Sequence, residues 1–351
     1  MKIKMKPHEK QLLINTLHIQ SYSGNTDRME DYIINYINSL GLTHVYDNGN
    51  IYITKGVSDN YPCMISHTDT VHEIIPDKEY TIIANDEFAI GYNKVKMQAT
   101  GCGGDDKVGI FMCLQLLQEY DAIKIAFFRD EEVGCVGSYD ANIDFFSDTR
   151  FVLQCDRRGN TDFVDNIYSV QLQSKRFKRD VSKILSKYGY TPTHGMLTDV
   201  YAIKQMGVGV SVANMSCGYY NPHCDDETIS LVDVSNCLNM CRDIFTNMTS
   251  VYEHKTDTVG KTNKYIGGYG SYNDWENWSD DWDMGKSKTI INSTNTQNEI
   301  DFYENNEKCG SCLEWKNHDV IEYCIPYNCF VCDDCMEEIG EPAIIESYDK
   351  D

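Results

Sequence analysis

"PCMISHTDTVH", residues 62–72, begins as an apolar run and ends in His67, Asp69 and His72. One such ending means little, because water can solvate a charge at the end of a buried strand. The pattern recurs in "IKIAFFRDEEVG" (123–134), "VLQCDRRGN" (152–160) and "VGVSVANMSCGYYNPHCDDE" (208–227). Four apolar runs, at 61–66, 123–128, 151–155 and 207–213, are short and bounded as interior strands are. Each ends in His, Asp or Glu, and a common rim explains the repetition. In open α/β sheets, ligands bind beyond the carboxyl ends of the strands.

The segments between these runs support an α/β fold. "TDRMEDYIINYINSLGL" (26–42) predicts a helix with Thr26 as its N-cap and Gly41 as its stop. "VGIFMCLQLLQEY" (108–120) reads as a buried helix following a glycine turn. "VYDNGNIYITKG" (45–56) places Asn48-Gly49 between two short strand patterns, the signal of a hairpin. Alternating strands and helices predict a mixed, mostly parallel central sheet with helices on both faces.

The rim would collect His67 and Asp69 from the first run. Asp105 and Asp106 come from the glycine turn "ATGCGGDDKVG" (99–109), Glu131 and Glu132 from the second run, Asp156 from the third and His223 from the fourth. Histidine and carboxylate form a nitrogen and oxygen donor set that suits zinc, with manganese or cobalt as neighbours. So many carboxylates without cations would raise one another's pKa values. Two divalent ions remove that difficulty and can activate water for hydrolysis.

From about residue 5 to 245 the chain resembles the co-catalytic di-zinc exopeptidases, which include leucyl-type aminopeptidases, peptidase T and carboxypeptidase G-like enzymes. The resemblance rests on "SHTDTVH", "GGDDKVG" and "FRDEEVG" in that order, followed by an Asp and a late His. It implies His67 and Asp156 as ligands of a first zinc, Glu132 and His223 as ligands of a second, and Asp105 as the bridge between them. It implies Glu131 as general base and Asp69 as the neighbour that holds the His67 tautomer; Asp106 would support the turn. His194, in "TPTHGMLTD", competes with His223, which is favoured because it follows the fourth run and a Gly-Tyr-Tyr loop. His72 is read as a non-ligand, and an ion pair of Asp156 with Arg157 or Arg158 is the bland alternative for that carboxylate. Asp156 and His223 lie 67 positions apart, which leaves no room for the lid domain that some members carry there. The basic stretch with Lys175, Arg176, Lys178 and Arg179 is either a solvated helix or a contact for a substrate carboxylate. Peptides or acylated amino acids are the implied substrates.

Composition bounds the rest. A net charge of −23 argues against a general affinity for nucleic acid. No apolar stretch is long enough for a membrane-spanning helix, and "MKIKMKPHEKQLL" has no signal-peptide core, so a cytoplasmic location is expected. Nine of the 15 cysteines are scattered before residue 255, several inside apolar runs, as small buried hydrophobes are.

The other six crowd the tail. Residues 1–255 read as the hydrolase domain, 256–302 as an acidic flexible linker and 303–351 as a small module. Cys309 and Cys312 form one C-x-x-C and Cys332 and Cys335 another, with 19 residues between, a spacing that matches a four-cysteine structural zinc site. Cys324 and Cys329 are left over, and Cys329 can replace one ligand. With 13 acidic residues against three lysines from 303 to 351, the module repels phosphate. Linker residues Trp275, Trp278 and Trp282 fall on one helical face, a pattern that fits a partner's groove or loose packing. A rival reading makes the whole protein an adaptor that recruits a partner through its tail, with the front domain as scaffold.

Overall fold

The computed structural model describes residues 4–168 and 170–256, together with the backbone of 306–308, 315–317, 321–324 and 329–332. Contacts divide the chain into two compact units, Met1–Ile266 and Gly267–Asp351. The helices are α1 (Pro7–His18), α2 (Asp27–Ser39), α3 (Gly104–Glu119), α4 (Val136–Tyr139), α5 (Lys175–Tyr188), α6 (Asp199–Gln205) and α7 (Leu231–Asn247). The first strands are β1 (Val45–Asp47), β2 (Asn50–Lys55), β3 (Tyr61–His67), β4 (Tyr80–Ala84), β5 (Phe88–Asn93), β6 (Gln98–Thr100) and β7 (Ile123–Phe128). They are followed by β8 (Thr149–Gln154), β9 (Asp162–Ile167), β10 (Val170–Gln171), β11 (Thr191–Gly195), β12 (Val212–Met215), β13 (Tyr219–Tyr220) and β14 (Thr228–Ser230).

A nine-stranded sheet runs β1-β2-β7-β3-β8-β12-β9-β10, with β11 paired to β9. Its four central strands β7, β3, β8 and β12 are mutually parallel, and β2 and β9 flank them antiparallel. The predicted mixed α/β sheet is therefore present, and three of the four apolar runs form strands where expected. The fourth forms one only at Val212–Met215; just before it, Gly209 O accepts from His254 N and Ser211 N donates to Tyr252 O, so Val210 bridges Glu253. The Asn48-Gly49 hairpin joins β1 to β2, with both turn residues at positive φ as such a turn requires.

Alternation along the strands sends side chains to two cores. Met64, Leu153 and Ala213 join one cluster with helices α1, α2, α3, α5 and α7. Cys63, Ile65, Val152 and Val212 join the other, with Val200 and Ile203 of α6. Helices thus cover both faces. A smaller antiparallel sheet, β13-β14-β5-β4 with β6 on β5, was not foreseen. Its strands carry exposed Ile83 and Phe88 and no apolar run longer than three residues.

Thr26 precedes α2 as expected but does not cap it with its side chain; its hydroxyl donates to Glu30 Oε1 at 2.6 Å instead. In the second unit, Asn306–Lys308 pairs with Trp315–Asn317 and Ile321–Cys324 with Cys329–Cys332, placing Cys324 opposite Cys329. Cys309, Cys312, Cys335 and the linker tryptophans lie outside the described residues.

Candidate metal centre

Because β3, β7, β8 and β12 are parallel, their carboxyl ends share one rim. His67 is the last residue of β3 and is fully buried. Its Nδ1 lies 3.1 Å from the Asp69 carbonyl oxygen and 3.2 Å from Asp69 Oδ1. A carbonyl only accepts, so Nδ1 carries the proton and donates, leaving the Nε2 lone pair for the rim. Asp69, also buried, accepts from Glu131 N at 2.9 Å, Glu132 N at 3.3 Å and the Ser23 hydroxyl at 2.7 Å. One carboxylate thus orients the imidazole and anchors the loop after β7.

Asp105 stands in the first turn of α3, where Asp105 and Asp106 depart from helical angles and are joined by a cis peptide. Its two oxygens face two different groups. Oδ1 lies 3.2 Å from His67 Nε2, which is 3.8 Å from Asp156 Oδ1. Oδ2 lies 3.4 Å from His223 Nε2, which is 3.2 Å from Glu132 Oε2. Two donors on one tetrahedral zinc, each about 2.0–2.2 Å from the ion, lie ~3.4 Å apart. The spacings match that edge, so the donor set fits an ion on each side of Asp105. Glu132 Oε1 is buried without a hydrogen-bond partner, as a ligand atom would be.

Electrostatics point the same way. Burial first, and then the charge of Asp105, push Asp156 up to about 8. Burial raises Glu131 and Glu132 as well, the latter helped by Asp105. Buried carboxylates this close resist ionising together unless cations join them.

Asp106 lies within 4.8 Å of the ligand atoms of His67 and Asp156, but its oxygens accept from Ser66 Oγ at 2.5 Å, His67 N at 3.3 Å and Gly109 N at 3.0 Å, and so support the turn. Asp156 does not pair with its neighbour Arg157, whose Nε donates to Asp162 at 2.8 Å. It accepts from Gln154 Nε2 at 3.0 Å, Thr198 Oγ1 at 2.9 Å and the Tyr219 hydroxyl at 3.3 Å. His223 lies at the mouth, its side chain 48% exposed. His194 sits on strand β11, paired to β9, and makes none of these contacts. His72 contacts Glu227 at 3.2 Å instead of the rim.

Sequence reasoning passed over Glu227 and Asn214. Glu227 is fully buried and accepts from Cys102 N at 3.0 Å, Gly103 N at 2.6 Å and Asp105 N at 3.4 Å, holding the glycine turn. Asn214 clamps the Asp156 backbone through two bonds, 3.0 and 2.6 Å. Glu227 follows His223 in "HCDDE", so proximity to a predicted ligand was its only signal. The four basic residues of α5 are spent elsewhere or exposed: Lys178 pairs with Asp165 and Arg176 bonds Ser250.

No family model and no curated protein matches the sequence. Solved structures do match. Aminopeptidase PepT from Bacillus cereus aligns over 69% of this chain and 99% of its own, at 12% identity and TM-score 0.55. A tripeptidase from Staphylococcus aureus aligns over 69% and 99%, at 15% identity and TM-score 0.53. The TET1 peptidase of Pyrococcus horikoshii aligns over 68% and 99%, at 14% identity and TM-score 0.52. At these identities the likeness is one of architecture, and this chain has the fold that these peptidases share.

Proposed function

We propose that residues 1–255 form a metal-dependent exopeptidase of the aminopeptidase type, with two zinc ions as cofactors. The observation that carries this reading is the Asp105 carboxylate, whose oxygens each face a separate histidine–carboxylate pair. His67 and Asp156 would hold one ion, His223 and Glu132 the other, and Asp105 both. When bound, the pair supplies Lewis-acid polarisation and a water acidic enough to lose a proton near neutral pH. Manganese or cobalt fits the same donors.

Glu131 is the general base. Burial raises its carboxyl above the usual range, which suits a group that must take a proton and return it to the leaving amine near neutrality. The Cys135 thiol donates to Glu131 Oε1 at 3.4 Å, and Asp69 fixes its backbone. Peptides with a free amino terminus are the proposed substrates. The tail is proposed to bind a third zinc through Cys309, Cys312, Cys332 and Cys335 and to dock a protein partner. Among the described residues no helix is long and apolar enough to cross a membrane, and we place the protein in the cytoplasm.

The test is Glu131→Gln in full-length protein. Activity on aminoacyl and short peptide substrates should fall by about 10²–10⁴-fold with metal content unchanged. Wild type should bind about three zinc ions and a tail variant lacking the four cysteines about two, in line with the closed structural sites of such modules. Activity only on N-acylated amino acids would favour a deacylase. A wild-type protein that hydrolyses neither class and loses no function on Glu131→Gln would favour the adaptor.

A further inference from the structure

A second set of ligand-type side chains lies in the core and shares no residue with the rim donors. Cys155 Sγ is 3.6 Å from Cys237 Sγ and 3.7 Å from Cys241 Sγ, and all three sulfurs lie within 4.8 Å of one another. Cys241 Sγ is also 3.9 Å from Met215 Sδ. Every one of the four residues is fully buried. Cys237 and Cys241 are four apart on α7 and so share a face. Cys155 follows β8, and Met215 ends β12.

Two thiols in ordinary contact also sit near 3.6 Å, so one distance decides nothing. Four sulfurs from three elements converge here. Sulfurs on one ion at about 2.3 Å lie ~3.8 Å apart in a tetrahedral site and ~4.0 Å in a trigonal one. Two sides of the observed triangle, 3.6 and 3.7 Å, and the thioether contact of 3.9 Å fall close to those edges, and the third side is within 4.8 Å. A disulfide would need the sulfurs at about 2.05 Å. Thiolates alone suit zinc or copper(I), whereas a thioether beside them favours copper(I).

We infer that Cys155, Cys237, Cys241 and Met215 form a site for a soft monovalent ion of the copper(I) class. Each thiol that becomes a ligand releases its proton to solvent. Because Cys155 immediately precedes Asp156, a loaded site fastens the end of β8 to α7 directly behind the rim. The rim donors are nitrogen and oxygen, so this site and the peptidase reading stand or fall separately.

The experiment is an anaerobic titration of full-length protein with copper(I) against a competing chelator, followed by thiolate-to-copper absorption. The tail cysteines bind copper(I) too, so the readout is the difference between variants. Cys237→Ala and Cys241→Ala should each bind one ion fewer than wild type. Alanine is the strongest helix former, so α7 should persist in both. Met215→Leu keeps the volume and should weaken the site about tenfold or more, as loss of one ligand does. Equal stoichiometry in wild type and both alanine variants overturns the inference. So does unchanged affinity in Met215→Leu, which also decides the matter if the alanine variants fail to fold.

Discussion

Asp69 joins three functions in one side chain: it sets the His67 tautomer, and its two oxygens hold the amides of Glu131 and Glu132. Asn in its place keeps one acceptor oxygen and turns the other into a donor that faces N–H groups. Asp69→Asn should therefore weaken metal binding about 10–100-fold, the range for partners that orient a ligand. A chelator competition at fixed pH measures it. Asp105 makes a sharper claim, since each of its oxygens faces a different donor pair. Asp105→Asn should lose both rim ions together, whereas His223→Ala should lose one and keep the other. If Asp105→Asn retains one ion at wild-type affinity, the carboxylate is not a bridge. The predicted donors were legible because each follows an apolar run or a glycine turn, where chain direction alone dictates which rim it reaches. Gln154, Thr198, Asn214 and Glu227 were not legible: they act on Asp156 and the glycine turn through contacts between elements distant in sequence.

At the scale of elements, the parallel core could be read because buried strands leave continuous apolar runs. The smaller sheet could not, since Phe88 and Ile83 are exposed and its pairings join residues as remote as Ile90 and Thr228. Helix–helix ties were equally hidden. Arg242 of α7 bonds Glu9 of α1 at 2.6 Å and also Glu119 at the end of α3. Burial pushes Glu9 upward, but the hydrogen bond from Arg242, that from the Lys6 amide and the Arg242 charge outweigh it, so its carboxyl is held below the ordinary 4.5. A carboxyl lowered on folding binds protons less readily in the native state than in the unfolded one. Its contribution is fully present above the unfolded value and is lost as pH falls through the native one. Denaturant melts between pH 6 and 3 should show stability falling with acid. Glu9→Gln should be less stable than wild type at pH 6, and the gap should narrow toward pH 3. A constant gap would mean that the Glu9 charge contributes nothing.

Over the whole molecule, a net charge of −23 means that the rim carboxylates sit in an acidic protein as well as beside one another. On the proposed reading, ions at the rim would contribute to folding stability as well as to chemistry. A ligand present at 100 times its Kd stabilises the native state by about 2.7 kcal/mol per site, provided the unfolded chain does not bind it. For a unit of this size, about 1 kcal/mol moves Tm by roughly 2–4 °C. Removing two ions with a chelator should therefore lower the first unit's transition by on the order of 10 °C, and added zinc should restore it. Asp105→Asn gives the decisive comparison. In chelator it should melt below wild type, because, against the upward push of burial, the hydrogen bonds from His223 and His67 hold the Asp105 carboxyl well below the usual range and the amide loses that stabilisation; in zinc the gap should widen, since the variant also loses the ions. A gap of the same size in both conditions would mean that Asp105 serves the turn and not the ions. Calorimetry of the two proteins, each with chelator and with zinc, separates these outcomes.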